Sequence, residues 1–282
     1  MIDPSAASID LGKLFARTPP NDEIHLEEWD QQITDILNVA KSTNSLLCVY
    51  SNAGAGKTTF LRQLSEIAAS RLDIINLTPA SPSLKPGWLL QGVSQWLSSG
   101  YGEESDSLQK LSALAESSRP ILVCLDSGGL LEVDQMSGEI SGMLNLADSC
   151  GLRLAILVCC SREKSEDISA DPQLSNRLVY TKKLPPFNEN QLIDFLNKRF
   201  QTSRIGAGTL TVETIQKLAK EAAGSPAQLL RSVSSHLGYG LPEQRPLSKP
   251  TSERNTAQKK QSQKKSNKDI NIEELLVPAN KS

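Results

Sequence analysis

Short apolar runs alternate with longer amphipathic stretches through the first two thirds of the chain. The runs are rich in aliphatic or β-branched residues and bounded by polar, Gly or Pro residues, which predicts strands covered on both faces. Strands are expected at Leu46–Tyr50, Leu72–Leu77, Ile121–Asp126, Leu152–Cys159 and Leu178–Leu184. Helical spacing occurs at Glu23–Ala40, Thr58–Ser70, Trp88–Leu97, Ser107–Glu116 and Met136–Ala147. The alternation predicts an α/β fold with a five-stranded parallel sheet and crossover helices.

Only helical patterns follow the fifth predicted strand. Asn188 and Gln191 have the spacing of a capping box ahead of an apolar helix face. A second helix is expected at Thr211–Ala223, and a third from Pro226 to about Leu237. We therefore expect residues 1–186 to hold an N-terminal segment and the α/β core, residues 187–240 a small helical lid, and residues 241–282 a disordered basic tail.

The C-terminal tail differs from the rest of the chain in composition and charge. Pro250–Asp269 is rich in Lys, Gln, Ser and Asn and lacks apolar periodicity, which is typical of disorder. From Leu247 onward the chain has seven Lys and one Arg against four carboxylates, a net charge of +4. Since the whole chain carries −2, the body carries −6. The acidic body disfavours nucleic acid as a partner. The tail is either a solvated extension or a segment that docks to an acidic partner or to nucleic acid.

Cysteine usage and the N-terminus indicate the compartment. Most of the five cysteines (Cys48, Cys124, Cys150, Cys159 and Cys160) lie in apolar runs without metal-ligand spacing. We interpret them as small buried hydrophobic residues in a reducing environment. Met1–Pro4 lacks signal-peptide features, and no apolar run approaches the roughly 20 residues of a membrane helix. These features predict a cytoplasmic protein without a membrane span.

The strongest motif in the chain lies between the first predicted strand and the helix after it. Ser51–Thr58 matches the P-loop pattern G-x-x-x-x-G-K-[ST], except that Ser51 replaces the first glycine. Such a loop wraps its backbone N–H groups around phosphates, while the lysine neutralises them and the threonine hydroxyl faces Mg²⁺. We expect ATP or ADP to contact Ser51, Asn52, Ala53, Gly54, Ala55, Gly56, Lys57, Thr58 and Thr59.

A second candidate group follows the third predicted strand. Asp126 ends an aliphatic run and is the expected partner of Thr58 in holding Mg²⁺. The next residue is Ser127, which can hydrogen-bond a water molecule but cannot act as its general base at neutral pH. Glu132 is the nearest downstream carboxylate that could act as the general base in place of Ser127. The pair therefore favours nucleotide binding over rapid hydrolysis.

With these motifs in this order, the chain resembles the AAA+ ATPases of the general secretion pathway protein A (ExeA) group and the ATPase half of DamX-like cell-division proteins. The resemblance covers roughly Ser45 to Leu237. It implies an AAA+ type P-loop NTPase fold. It also implies a sensor for the γ-phosphate at Cys160 or Ser161, of which the serine is chemically better suited. Arg177 matches the family's arginine finger, which reaches a neighbouring subunit; a surface arginine at the end of a helix is the alternative.

The lid sensor departs from the family pattern. Where such ATPases often have Gly-x-Pro-Arg, this chain has Gly224-Ser225-Pro226-Ala227, so the arginine is absent. Arg231 lies one helical turn later and is the replacement if its longer reach is accommodated.

We accordingly expect an ATP-binding AAA+ module that switches conformation or assembly with nucleotide and hydrolyses ATP slowly, if at all. The likeness also implies a homo-oligomer whose protein partner, still unknown, belongs to envelope or division machinery. Two alternatives stay open: an active AAA+ ATPase in secretion or cell-envelope assembly, and a DNA-handling AAA+ protein similar to the transposition ATPases MuB and TniB. Turnover measurements and salt-dependent DNA binding separate them.

Overall fold

A parallel five-stranded β-sheet runs through the centre of the structure. The structure is a computed structural model that describes residues 25–79, 84–101, 119–126, 131–203 and 209–238. The strands are β1 (Ser45–Tyr50), β2 (Asp73–Leu77), β3 (Ile121–Leu125), β4 (Leu154–Cys160) and β5 (Leu178–Lys183). They are arranged in the order β2-β3-β4-β1-β5, with every neighbouring pair parallel. Because β4 lies between β1 and β3, the loops after these three strands share one edge of the sheet.

The central and edge strands differ in burial. β3 and β4 are buried throughout, and β1 is buried up to the half-buried Tyr50. The prediction that every strand is covered on both faces is therefore right for the centre and wrong for the edges. β5 ends in the exposed residues Lys182 and Lys183, and β2 is only partly buried. An edge strand has a neighbour on one side only, so it tolerates polar residues that a central strand does not.

Helices cover both faces of the sheet. They are α1 (Glu27–Ser42), α2 (Lys57–Ala68), α3 (Trp88–Tyr101), α4 (Val133–Cys150), α5 (Arg162–Ala170), α6 (Pro172–Ser175), α7 (Glu189–Thr202), α8 (Val212–Glu221) and α9 (Pro226–His236). One apolar cluster joins α1, α2 and α7–α9 to the sheet, and the other joins α3–α6 to the opposite face. The result is a three-layer α/β arrangement.

Helix α1 is fixed to α2 by a buried side-chain amide. Gln63 of α2 accepts a hydrogen bond from the backbone N–H of Leu26 at 3.1 Å. Its Nε2 donates to the carbonyl of Leu26 at 3.1 Å and to Asp30 at 3.0 Å. A buried amide satisfied in this way specifies one register between the two helices. It thereby sets the position of Trp29, which points toward the loop after β1.

Three helices, α7, α8 and α9, follow β5 where the helical lid is expected. The predicted capping box is confirmed, because the Asn188 side chain accepts from the backbone N–H of Gln191 while the Gln191 side chain accepts from the N–H of Asn188. Apolar residues of the lid belong to the same cluster as α1 and α2. The described residues thus belong to one compact unit that ends at Tyr239.

The predicted elements are confirmed to within a few residues at their ends wherever the structure describes them. Two short helices, α5 and α6, were not predicted. Ser161 and Asp171 cap them through their side-chain oxygens, but few apolar positions follow either cap. The predicted helix Ser107–Glu116 and the predicted tail lie outside the described residues. Within the described residues, no helix has both the length and the apolar character needed to cross a membrane.

Candidate functional site

The loop between β1 and α2 turns sharply at two glycines. Gly54 has φ 77° and Gly56 has φ 99°, a left-handed conformation that a side chain disfavours. The N–H of Ala55 donates to the carbonyl of Asn52 at 3.3 Å, which closes the turn. Helix α2 then begins at Lys57, so the loop and the N-terminus of α2 form one concave backbone surface. Such a surface is suited to bind an anion.

Ser51 fits the position where the P-loop pattern has its first glycine. It is 3% exposed, and its N–H donates to the carbonyl of Cys160 at 3.2 Å. Ser51 does not have a positive φ, because Ala223 is the only described residue other than glycine that does. Position 51 therefore does not need glycine's conformational freedom. The departure from the motif is therefore compatible with the turn. Asn52 and Ala53 are exposed at the loop, and Thr59 is half-buried in the first turn of α2.

The Lys57 side chain folds back over the loop. Its Nζ donates to the carbonyl oxygens of Ser51 at 3.2 Å and Asn52 at 3.1 Å, and to the Ser51 hydroxyl at 3.4 Å. Burial lowers the pKa of Lys57, and the nearby carboxylate of Asp126 partly opposes this shift. A partly desolvated ammonium held by neutral acceptors can exchange them for a phosphate, which is a better partner.

The structure brings Thr58 and Asp126 together. The hydroxyl of Thr58 donates to Oδ2 of Asp126 at 2.8 Å, although the two residues are 68 positions apart. The N–H of Asp126 donates to the carbonyl of Leu77 at 2.9 Å, which holds the carboxylate at the end of β3. A hydroxyl and a carboxylate side by side are the hard oxygen donors that Mg²⁺ prefers. Ser127, the candidate that follows Asp126 in the sequence, lies outside the described residues. Glu132 is exposed just before α4.

The two sensor candidates lie at the carboxyl end of β4, between the ends of β1 and β3. Cys160 is buried, and its Sγ lies 3.5 Å from that of Cys48 in the apolar cluster containing α3–α6. The side chain thus belongs to the core. Ser161 is half-buried, and its hydroxyl accepts from the N–H of Lys164 at 3.3 Å as the cap of α5. Ser161 accordingly has a structural use that the sequence analysis did not anticipate.

The cysteines match the expectation of buried apolar residues. All five are free thiols; Cys150 is half-buried and the other four are buried. Burial raises the pKa of Cys124 and of Cys159. The described residues contain no group of three or more His, Cys, Asp or Glu placed to hold a metal ion.

Arg177 lies at the opposite edge of the sheet from the loop. It precedes β5, and its carbonyl accepts from the N–H of Leu46 near the start of β1 at 2.8 Å. The guanidinium forms an ion pair with Asp148 of α4 at 2.9 Å and donates to Asn145 at 2.7 Å. The side chain therefore does not face the loop of its own chain.

The start of α9 lies directly on the loop. The carbonyl of Gly54 accepts from the Ser225 hydroxyl at 3.3 Å and from the N–H of Ala227 at 3.4 Å. Arg231 is exposed, one helical turn further along α9. No sequence motif marked Ser225 as part of the site, although a serine before Pro226 is a helix-capping signal.

Two aromatic residues form a wall behind Gly56. A Cβ added to Gly56 would lie 3.0 Å from the ring of Phe187 and 3.3 Å from that of Trp29. The ring of Trp29 packs edge-on against Phe187 and Phe60 at centroid distances of 5.6 and 5.5 Å. Glycine is therefore required at position 56 for two reasons: its φ and the close approach of these rings. No local sequence signal identified either aromatic residue as part of the site.

Comparisons with known proteins identify the fold. No protein-family model matches the sequence, and no curated protein matches it. Cdc6p from Pyrobaculum aerophilum is similar in structure, with a TM-score of 0.52 and 17% identity over 81% of this chain and 67% of that one. The ORC2 protein of Aeropyrum pernix, solved in ADPNP–ADP complexes, gives a TM-score of 0.52 and 14% identity over 82% and 68%. The A. pernix ORC1 protein in complex with DNA gives a TM-score of 0.50 and 15% identity over 80% of this chain and 64% of that one.

These likenesses, together with the strand order and the P-loop after β1, identify the fold as the predicted AAA+ type of P-loop NTPase. The match covers about two thirds of the length of the Cdc6p and ORC2 chains.

Proposed function

We propose that this chain is an AAA+ module that binds ATP or ADP with Mg²⁺ and changes conformation or assembly with the bound nucleotide. The observation that carries the proposal is the 2.8 Å hydrogen bond between Thr58 and Asp126 beside a loop with two left-handed glycines. In this arrangement the loop N–H groups bind the phosphates, Lys57 neutralises them, and the Thr58–Asp126 pair holds the metal.

The residues present suit Mg²⁺. Thr58 is exposed and Asp126 is half-buried, so both oxygens are reachable from the loop. These two residues would hold Mg²⁺, which would supply positive charge to neutralise the phosphates. The chain itself positions these donors, through the start of α2 and the end of β3.

We also propose that the chain hydrolyses ATP slowly. Ser127 is chemically unable to take a proton from water, and the start of α9 presents Ala227 where an arginine would stabilise charge. Arg177 is engaged with Asp148 of its own chain. These features support binding and switching over fast turnover. We further propose that the chain belongs to the ExeA or DamX group and forms a homo-oligomer in which Arg177 reaches the nucleotide of a neighbouring subunit.

The experiment is nucleotide titration of Lys57→Ala by calorimetry with Mg²⁺, with thermal denaturation to verify folding. We expect the variant to lose nucleotide affinity by at least ~10-fold, because a charge-assisted phosphate contact contributes about 1.5–3 kcal/mol. Lys220→Ala is the matched control, since Lys220 is exposed in the last turn of α8. Unchanged affinity in folded Lys57→Ala would refute the proposed function.

A further inference from the structure

The carbonyl of Gly54 joins the loop to the lid. It accepts two hydrogen bonds from the first turn of α9, one from the Ser225 hydroxyl at 3.3 Å and one from the N–H of Ala227 at 3.4 Å. Both are longer than the usual range of about 2.7–3.2 Å, so there is room for them to shorten. Ser225 also accepts from the N–H of Gln228 at 3.3 Å, which makes one hydroxyl both the cap of α9 and a donor to the loop.

The packing around this contact leaves little space. A Cβ added to Gly54 would lie 2.5 Å from the Cβ of Ala227. Gly224, just before the contact, has φ 82°, and its carbonyl accepts from the N–H of Phe187 at 3.2 Å. Phe187 is also part of the wall behind Gly56. The start of α9 therefore contacts Gly54 directly and is linked to Gly56 through Phe187, so a shift of the loop backbone is transmitted to the lid.

One peptide group faces the lid on one side and the phosphate cradle on the other. The carbonyl of Gly54 and the N–H of Ala55 belong to the same planar trans peptide, so they point in opposite directions. The N–H of Ala55 donates to the carbonyl of Asn52 at 3.3 Å, toward the inside of the loop. An anion that replaces the Asn52 carbonyl as the acceptor of this N–H polarises the peptide more strongly and makes the Gly54 oxygen a stronger acceptor, since hydrogen bonds in a chain reinforce one another.

We propose that the Gly54–Ala55 peptide couples phosphate binding to the lid, and that Ser225 is the positioning residue of the lid that responds to it. The proposal rests on the nucleotide site proposed above and specifies what operates the lid. The P-loop backbone cradles the α- and β-phosphates. The diphosphate part of the nucleotide therefore tightens α9 onto the loop, and the γ-phosphate is not required. ADP and ATP therefore fix α9 against the loop to the same extent, while AMP does not.

Hydrogen exchange measured on the full chain tests this coupling. In wild type, saturating ADP and saturating ATP slow amide exchange in α9 to the same extent, and AMP at the same concentration does not. Ser225→Ala lowers ADP affinity about 3- to 10-fold, the range expected for one hydrogen bond to the carbonyl, and reduces the nucleotide-dependent protection of α9 by a similar factor. Ser225→Thr keeps the hydroxyl and restores both quantities.

Thr211→Ala is the matched control. Thr211 caps α8 by accepting from the N–H of Thr214 at 3.2 Å, as Ser225 caps α9, but no contact joins it to the loop in the described residues. Thr211→Ala therefore removes the cap of α8, and we expect it to keep wild-type ADP affinity and wild-type nucleotide-dependent protection of α9. Protection of α9 that needs the γ-phosphate, or that persists unchanged with unchanged affinity in Ser225→Ala, overturns the coupling while the nucleotide site stands. A wild-type chain that binds neither ADP nor ATP overturns both proposals.

Discussion

Two neighbouring residues at the end of β3 have different chemical capacities. The carboxylate of Asp126 accepts a hydrogen bond from Thr58 and is suited to hold a metal. Ser127 follows it in the sequence and has a hydroxyl without an accessible basic form at neutral pH. A metal ligand and a general base are thus separate requirements, and the serine side chain cannot meet the second.

Replacing Ser127 with glutamate tests that separation. A group that positions water and accepts its proton contributes about 10²–10⁴-fold to a rate, so Ser127→Glu should raise single-turnover ATP hydrolysis while barely changing affinity. Ser127→Ala is the control that leaves both unchanged. Wild-type turnover at ordinary ATPase rates, insensitive to either substitution, would indicate that another residue positions the water. Glu132 would be the first to replace.

At the scale of elements, the junction between α4 and β5 depends on a polar network. Asp148 pairs with Arg177 at 2.9 Å and accepts from Nδ2 of Asn44 at 2.7 Å, while Oδ1 of Asn44 accepts from the N–H of Leu154. The network joins the C-terminal part of α4 to the starts of β1, β4 and β5. An arginine used in this way has a structural role whether or not it also contacts a second copy.

Arg177→Ala and Asp148→Asn separate the two roles. Each should lower the free energy of unfolding by roughly 1 kcal/mol, because the ion pair is only partly exposed. Only Arg177→Ala should weaken ATP-dependent self-association or turnover, as measured by sedimentation and phosphate release. A chain that stays monomeric with ATP at high concentration, with identical behaviour in both variants, would show that the arginine is structural alone.

At the scale of the whole molecule, one aromatic group connects the core, the lid and the loop. Trp29 comes from α1, Phe60 from α2, and Phe187 from the segment that enters the lid. Trp29 is fully buried, and its ring lies against the turn at Gly56. Stability and the shape of the candidate site therefore depend on the same side chains.

Trp29→Ala should cost about 3–5 kcal/mol of unfolding free energy and also lower ADP affinity, since Gly56 loses part of its wall. Met143→Ala is the control: Met143 is buried in the cluster on the opposite face, so its loss should destabilise the chain without changing affinity under native conditions. Chemical denaturation and calorimetry measure the two effects. Folded Trp29→Ala with wild-type ADP affinity would contradict the connection.

Local signals in the sequence were sufficient for the described strands, for every described helix except α5 and α6, and for one half of the site. The buried strands are continuous apolar runs, and the Asn188–Gln191 box identifies the start of α7. Gly54, Gly56 and Lys57 mark the phosphate loop on their own. These features depend on residues a few positions apart, whose backbone preferences and hydrogen bonds act at short range. The prediction failed where position in the sheet matters, as in the polar residues of β5.

The tertiary structure decided how the other distant residues meet. The strand order places Asp126 beside Thr58, which the motifs had already paired, and it leaves Arg177 at the opposite end of the strands, which they had not indicated. Packing of the lid places Ser225 on the carbonyl of Gly54, and α1 delivers Trp29 to Gly56. No local pattern encodes these contacts, because side chains far apart in the chain come together only when the apolar faces of several elements are buried at once.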